Sequence, residues 1–319
     1  MYFDINTSRA RKTFKRLLGQ TNHYLITLLV GLDYIQKNDV RLPDEFKTSW
    51  NPRDKKASSI RSREFSINAT LSWAIDALDA YLSLCHKRPT LYQNRIIHEA
   101  AGAAGQSVYA KFIVLRDYVP NDKDDIFKKV SALTEVAIQW RNKLVHYFAD
   151  NEIIDETRKV LIDNSEYFGE NFQGLSIREL LNRFDGNQPP RFKEITSIIR
   201  AIHKFVELAD GYLLNTIDKE IHFVDCLDYH FKFNTKTENE LKSKTALTYN
   251  LSPERRLRSL NQSIMNYGFN LIDKEQTKIK EEWINNLSVL SINEVMTFLK
   301  EPDFEKKKLT ISKPTKKNN

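Results

Sequence analysis

Apolar residues recur every three or four positions over long stretches of this chain, a spacing that fits a helix. Ile67, Leu71, Ile75, Leu78 and Leu82 make one stripe. Ile126, Val130, Leu133, Ala137, Trp140, Leu144 and Phe148 make a second, and Phe192, Ile195, Ile199, Ile202, Val206, Ala209 and Leu213 a third. Chain breakers are too rare for the alternative: nine Gly and nine Pro in 319 residues supply few of the turns that sheet-rich and dinucleotide-binding folds need. With 41% apolar and 29% charged residues, a core of ordinary size and a solvated surface are both available. The expected fold class is all-α.

Punctuation divides the chain into three. Residues 1–60 read as an N-terminal helical segment and linker: Ser8 caps a helix to about Asn38, broken near Gly19, and a polar loop with Pro43 and Pro52 follows. Residues 61–215 read as a helical bundle, with helices at about 63–86, 93–118, 124–149 and 190–214. Ala100, Ala101, Ala103 and Ala104 let another helix approach closely and place the second of these at the centre. Residues 216–319 read as a mostly helical extension. There, 221–233 is strand or helix, 234–250 a polar loop, and a basic disordered tail begins at about 305.

Charge and cysteine narrow the setting. The net charge of +7 is compatible with an RNA or DNA partner without requiring one. Cys85 and Cys226 form neither a disulfide framework nor a CxxC metal site, which favours a reducing compartment. Charged residues crowd positions 9–16, so no secretory signal is read there. The longest apolar run, residues 24–32, is too short to span a bilayer. The expectation is a cytoplasmic protein with no membrane association. Walker, GxGxxG and HExxH patterns are absent from the sequence, which argues against a nucleotide-driven motor or a hydride-transfer enzyme.

The residues that carry chemistry gather in the second stripe's helix, read as the most strongly amphipathic of the chain. Arg141, Asn142 and His146 combine a guanidinium, an amide and an imidazole. Arg clamps a phosphate with two hydrogen bonds, His moves a proton near neutral pH, and Asn orients either partner. At about 100° per residue, Asn142 and His146 fall opposite the stripe with Glu135 and Gln139, while Arg141 and His146 stand roughly 140° apart. One helix therefore aims the pair poorly at one phosphate, and two copies facing each other would aim it well. Asp76 and Asp79 on the preceding helix, and Glu135 on the motif face, are supporting candidates. The bland reading of all three is a solvated carboxylate.

Other clusters read more weakly. His222, Cys226 and His230 share one face of a helix, but the two histidines would lie about 12 Å apart along the axis, so packing outweighs a metal site. His23, His86, His98 and His203 are isolated on expected helices. The aromatics Tyr229, Phe231, Phe233, Tyr267 and Trp283 would stack on bases or, more simply, pack a core.

The run from Trp140 to His146, with Arg141, a polar residue at 142 and His146 after four intervening positions, resembles the signature of HEPN domains (higher eukaryotes and prokaryotes nucleotide-binding). The resemblance covers residues 61–215. It implies an antiparallel all-α HEPN-like bundle with helical N- and C-terminal extensions, and a homodimer formed through the motif-helix face. It also implies metal-independent endoribonuclease activity without a cofactor, serving as a toxin, an abortive-infection effector or an antiviral nuclease. An antitoxin or regulatory protein partner is part of that picture. HEPN toxins paired with nucleotidyltransferase antitoxins carry a Tyr two residues after the His. Here Tyr147 follows at once and Phe148 takes the second place, so modification of that tyrosine is not carried over. Two alternatives stand beside the nuclease: a non-catalytic module that binds nucleic acid or a nucleotide, and a regulatory interaction subunit.

Overall fold

The computed structural model describes residues 1–49, 51–120, 125–145, 151–273, 275 and 277–313. In chain order its elements are β1 (Tyr2–Ile5), α1 (Arg9–Leu18), α2 (Thr21–Lys37), α3 (Lys55–His86), α4 (Arg95–Ala103), α5 (Val108–Tyr118), α6 (Asp125–Val145), α7 (Asp155–Asp163), α8 (Ser165–Asn171), α9 (Ile177–Asp185), α10 (Phe192–Thr216), α11 (Lys219–Lys232), α12 (Glu238–Tyr249), α13 (Pro253–Tyr267), β2 (Phe269–Ile272), α14 (Glu282–Val289), α15 (Ile292–Lys300) and α16 (Phe304–Ser312). The protein is all-α, with a single two-stranded sheet among the described residues. It divides into two compact units. A central unit holds Thr13–Leu82 and Ala104–Ala209, and a terminal unit holds Met1–Lys12, Ser83–Ala103 and Asp210–Asn319.

The central unit is built around α6. Every residue from 130 to 140 is buried, so the middle of this helix is enclosed on all sides rather than amphipathic as its stripe predicts. Enclosure is tolerable because α5 and α7 supply hydrogen-bonding partners for its polar face. On the apolar side, Phe112 and Phe127 pack against Phe205 of α10, with ring centroids 5.1 and 5.3 Å away. Trp140 meets Phe184 edge-on at 5.9 Å and donates its indole N–H to the Gln188 carbonyl at 3.0 Å. Leu71, Ile75 and Leu78 of α3 and Ile195, Ile199, Ile202 and Val206 of α10 are fully buried, so those two stripes face the core as their spacing requires.

The terminal unit joins the two ends of the chain. β1 and β2 run antiparallel, with Tyr2 opposite Ile272 and Ile5 opposite Phe269. Gly268 enters β2 at φ +115°, where a Cβ would lie 2.2 Å from the Thr7 carbonyl oxygen. Only glycine allows that approach. Phe223 of α11 packs between Phe3, Phe269 and Trp283 at 5.1–5.9 Å, so these aromatics form core.

Several local expectations change. Residues 219–232 are helical, and the stretch read as a polar loop at 234–250 holds α12, opened by a Thr237–Glu240 capping box. Residues 304–312 form α16 instead of disordered tail, because Lys307 pairs with Asp228 and Ile311 is buried. The single helix expected at 93–118 is split: Gly105 turns the chain at φ +59° and Ser107 caps α5. Of the alanines expected at a bundle centre, Ala101 is buried and Ala103 is exposed.

Candidate functional site

The last turn of α6 opens where its middle is closed. Residues 141–144 are half-buried and Val145 is exposed. The Arg141 side chain keeps 22% of its surface. Its Nη2 lies 3.6 Å from Asp76 Oδ1 on α3, and its Nη1 donates to Asn142 Oδ1 at 3.3 Å. Its Nε is buried without a partner. Asp76 is itself 63% exposed, so the pair is a loose, solvent-screened contact. Lys143 folds back over the Phe184 ring at 4.3 Å, which leaves Arg141 as the guanidinium of this turn. His146 lies outside the described residues.

The structure brings three of the candidates together, Arg141, Asn142 and Asp76, and sends the other two elsewhere. Asp79 binds Lys111 Nζ at 2.8 Å. Glu135 is fully buried. One of its oxygens takes a hydrogen bond from Arg116 Nη1 at 3.0 Å and another from the Thr157 hydroxyl at 2.8 Å, and the other faces the Tyr109 hydroxyl at 3.4 Å. Burial, then the Glu135 charge, raises the Tyr109 pKa. Burial by itself would lower the Arg116 pKa, but Asp117 and Glu135 together raise it. Glu135 is thus neither solvated nor open to a second copy, and Gln139 beside it is buried too. A dimer using the motif-helix face would have to use residues from 141 onward.

Sequence reasoning missed Arg116, Tyr109, Thr157 and Lys111. Each acts on a carboxylate at least 19 residues away, a separation with no local signature. Around Glu135, Arg116 and Thr157 line a cleft of about 260 Å³ with Lys128, Asp117 and Glu156. Three carboxylates against two cations make a poor phosphate site, so the cleft does not replace the Arg141 turn as an anion-binding candidate.

The terminal unit holds the other polar cluster. Asp228 is buried and takes Lys307, Lys232 at 2.9 Å and Arg88 at 3.6 Å. Beside it runs a cleft of about 180 Å³ lined by Arg88, Gln93, His222 and Asp225. Burial lowers the His222 pKa to about 4, and its Nδ1 has no partner. His230 meets the Ser263 hydroxyl at 3.2 Å, and Cys226 is buried and free. Among the described residues no group of three or more His, Cys, Asp and Glu could hold a metal ion. Of the isolated histidines, His86 packs against His98 at 4.4 Å and His203 against Phe14 at 4.9 Å.

Fold and site together define an all-α protein with a half-buried, loosely held arginine at the end of its central helix. None of its described helices is long and apolar enough to cross a membrane. Compared with known proteins, the chain matches no family model, no curated protein and no solved structure.

Proposed function

We propose that this protein is a metal-independent endoribonuclease of HEPN type, built from Arg141, Asn142 and His146 and acting as a homodimer. The observation that carries the reading is the state of Arg141. Its guanidinium stands in the half-buried last turn of α6, held by a 3.6 Å carboxylate contact and a 3.3 Å hydrogen bond to Asn142, so terminal N–H donors remain for a phosphate. A phosphodiester displaces such a contact at little cost.

The reaction needs no nucleophile from the protein. The RNA 2′-hydroxyl attacks the adjacent phosphorus, the bond from phosphorus to the 5′-oxygen breaks, and the products are a 2′,3′-cyclic phosphate and a 5′-hydroxyl. His146 takes the 2′ proton or returns one to the leaving oxygen, and its copy in the second chain does the other. Arg141 holds the charge that grows on the phosphorane oxygens. Asn142 orients the phosphate or the imidazole, and Asp76 positions Arg141. Two copies supply both acid and base, which one chain does not.

The setting proposed is cytoplasmic, in antiviral defence, abortive infection or toxin–antitoxin growth arrest, with a protein partner that holds the nuclease silent. The test is incubation of purified protein with total RNA in excess chelator, followed by analysis of fragment ends. Cleavage with 2′,3′-cyclic phosphate ends, lost in Arg141→Ala and His146→Ala, is the expected result. Full activity in His146→Ala would remove the assignment. RNA binding without cleavage would leave the non-catalytic module in its place.

A further inference from the structure

The terminal unit holds a polar centre that the nuclease reading does not use. It is the cleft of about 180 Å³ beside Asp228. Two elements supply its apolar walls, Ile221 and Val224 on α11 and Pro302 and Phe304 at the start of α16. All of its lining residues belong to the terminal unit.

The closed end of this cleft offers hydrogen-bond acceptors. His222 is only 3% exposed. Its imidazole bonds the Thr90 backbone, a contact that raises the His222 pKa and so sets a ring N–H on the Thr90 carbonyl. Burial outweighs that contact and keeps the ring neutral, with a pKa of about 4. A neutral imidazole has one N–H, and Thr90 takes it. Nδ1, which has no protein partner, is therefore an acceptor, and a buried acceptor left unmet costs stability. Asp225 follows three residues later on the same face of α11. Arg88 takes its Oδ1, and Oδ2 remains beside His222 as a second acceptor. The open end carries positive charge instead. Arg88 keeps 61% of its side-chain surface, and its Nη2 serves both Asp225 and Asp228. Its Nη1 and Nε donors are left for an anion.

We propose that this cleft binds a guanine nucleotide, with the N1–H and 2-amino edge of the base toward His222 and Asp225 and the phosphate toward Arg88. The cleft is smaller than the roughly 300–1,000 Å³ of pockets for drug-sized ligands, so it takes one ring system and leaves the rest of the ligand outside. Walls from two elements suit a flat ring. Two neighbouring acceptors call for two neighbouring donors, which guanine alone among the common bases presents on one edge. Adenine, cytosine and uracil each set an acceptor beside their donor, against His222 Nδ1 or Asp225. A polyamine would satisfy the acceptors but meet Arg88 and Lys307 as like charges. The proposal does not rest on the nuclease reading, because α6 lies in the other unit.

Equilibrium dialysis of the full chain against GMP, IMP and AMP tests it. GMP is expected to bind. IMP lacks the 2-amino donor and is expected to bind at least about tenfold more weakly, with AMP no better than IMP. Asp225→Ala should bring GMP down to the level of IMP, and His222→Leu should abolish GMP binding. Asp225 is partly exposed, so its variant remains a folded test if His222→Leu loses its circular dichroism. Arg141→Ala should bind GMP as the wild type does. No binding of any of the three nucleotides at millimolar concentration overturns the proposal, and so do equal affinities for GMP and IMP. Loss of GMP binding in Arg141→Ala overturns it too, by assigning the nucleotide to the end of α6.

Discussion

Two stretches of α6, six residues apart, treat charge in opposite ways. At Glu135 the carboxylate is fully buried and met by Arg116, Thr157 and Tyr109. At Arg141 the guanidinium is partly exposed and held only by Asp76 at 3.6 Å and Asn142 at 3.3 Å. A buried charge must be met by partners or it destabilises the fold. A charge that is to bind substrate must keep donors free. Under the proposed function, the difference leaves stability to the Glu135 stretch and chemistry to the Arg141 turn, although both lie on one helix and both carry residues that chemistry could use.

The sharpest way to break this contrast is to remove the working end. Arg141→Ala and His146→Ala are each expected to lower RNA cleavage by about 10²–10⁴-fold while leaving the melting temperature in place. A large drop in melting temperature from Arg141→Ala would make that end structural as well. The opposite result is expected at the closed end. Glu135→Ala strands a partly buried Arg116 and is expected to cost about 3 kcal/mol in denaturant unfolding, whereas Glu135→Gln keeps hydrogen-bond acceptors and costs less. An unchanged midpoint for Glu135→Ala would show that its network is not closed.

The rule of closure extends to the terminal unit with a pH dependence. Burial holds the folded His222 pKa at about 4 against an ordinary 6.5. Between those values the unfolded chain binds a proton that the folded chain does not, so stability falls as pH drops from 6.5 to 4. The loss reaches about 3 kcal/mol at the lower end. In His222→Phe this part of the slope is expected to vanish, and an identical pH profile for both proteins would contradict it. The smallest effect is expected at Asp76. Its pair with Arg141 is exposed, so Asp76→Ala should change stability by less than about 0.5 kcal/mol. A larger loss would mean that the open turn is held more firmly than its geometry implies.

Much of the architecture was legible because helical spacing is a local signal. Ile75 and Leu78 of α3, Leu133 and Ala137 of α6, and Ile195 and Ile202 of α10 all proved fully buried. The break near Gly19 separates α1 from α2. Some misreadings had local cues that were passed over. Thr237 with Glu240 spells a capping box for α12, and Gly105 with Ser107 marks the turn between α4 and α5. Others had none. The pairing of β1 with β2 joins Tyr2 to Ile272, and no periodicity within four residues announces a partner so distant.

The candidate site divides along the same line. The sequence by itself determined an all-α chain and the adjacency of Arg141 and Asn142, because covalent spacing and helix geometry are fixed by neighbours. It also singled out Asp76, Asp79 and Glu135 without being able to rank them. Only the tertiary structure decided that Asp76 meets Arg141, that Asp79 goes to Lys111, and that Glu135 is sealed among Arg116, Thr157 and Tyr109. The physical reason is that burial and ion pairing depend on which helices pack against α6, and that choice is made by contacts between residues far apart in the chain.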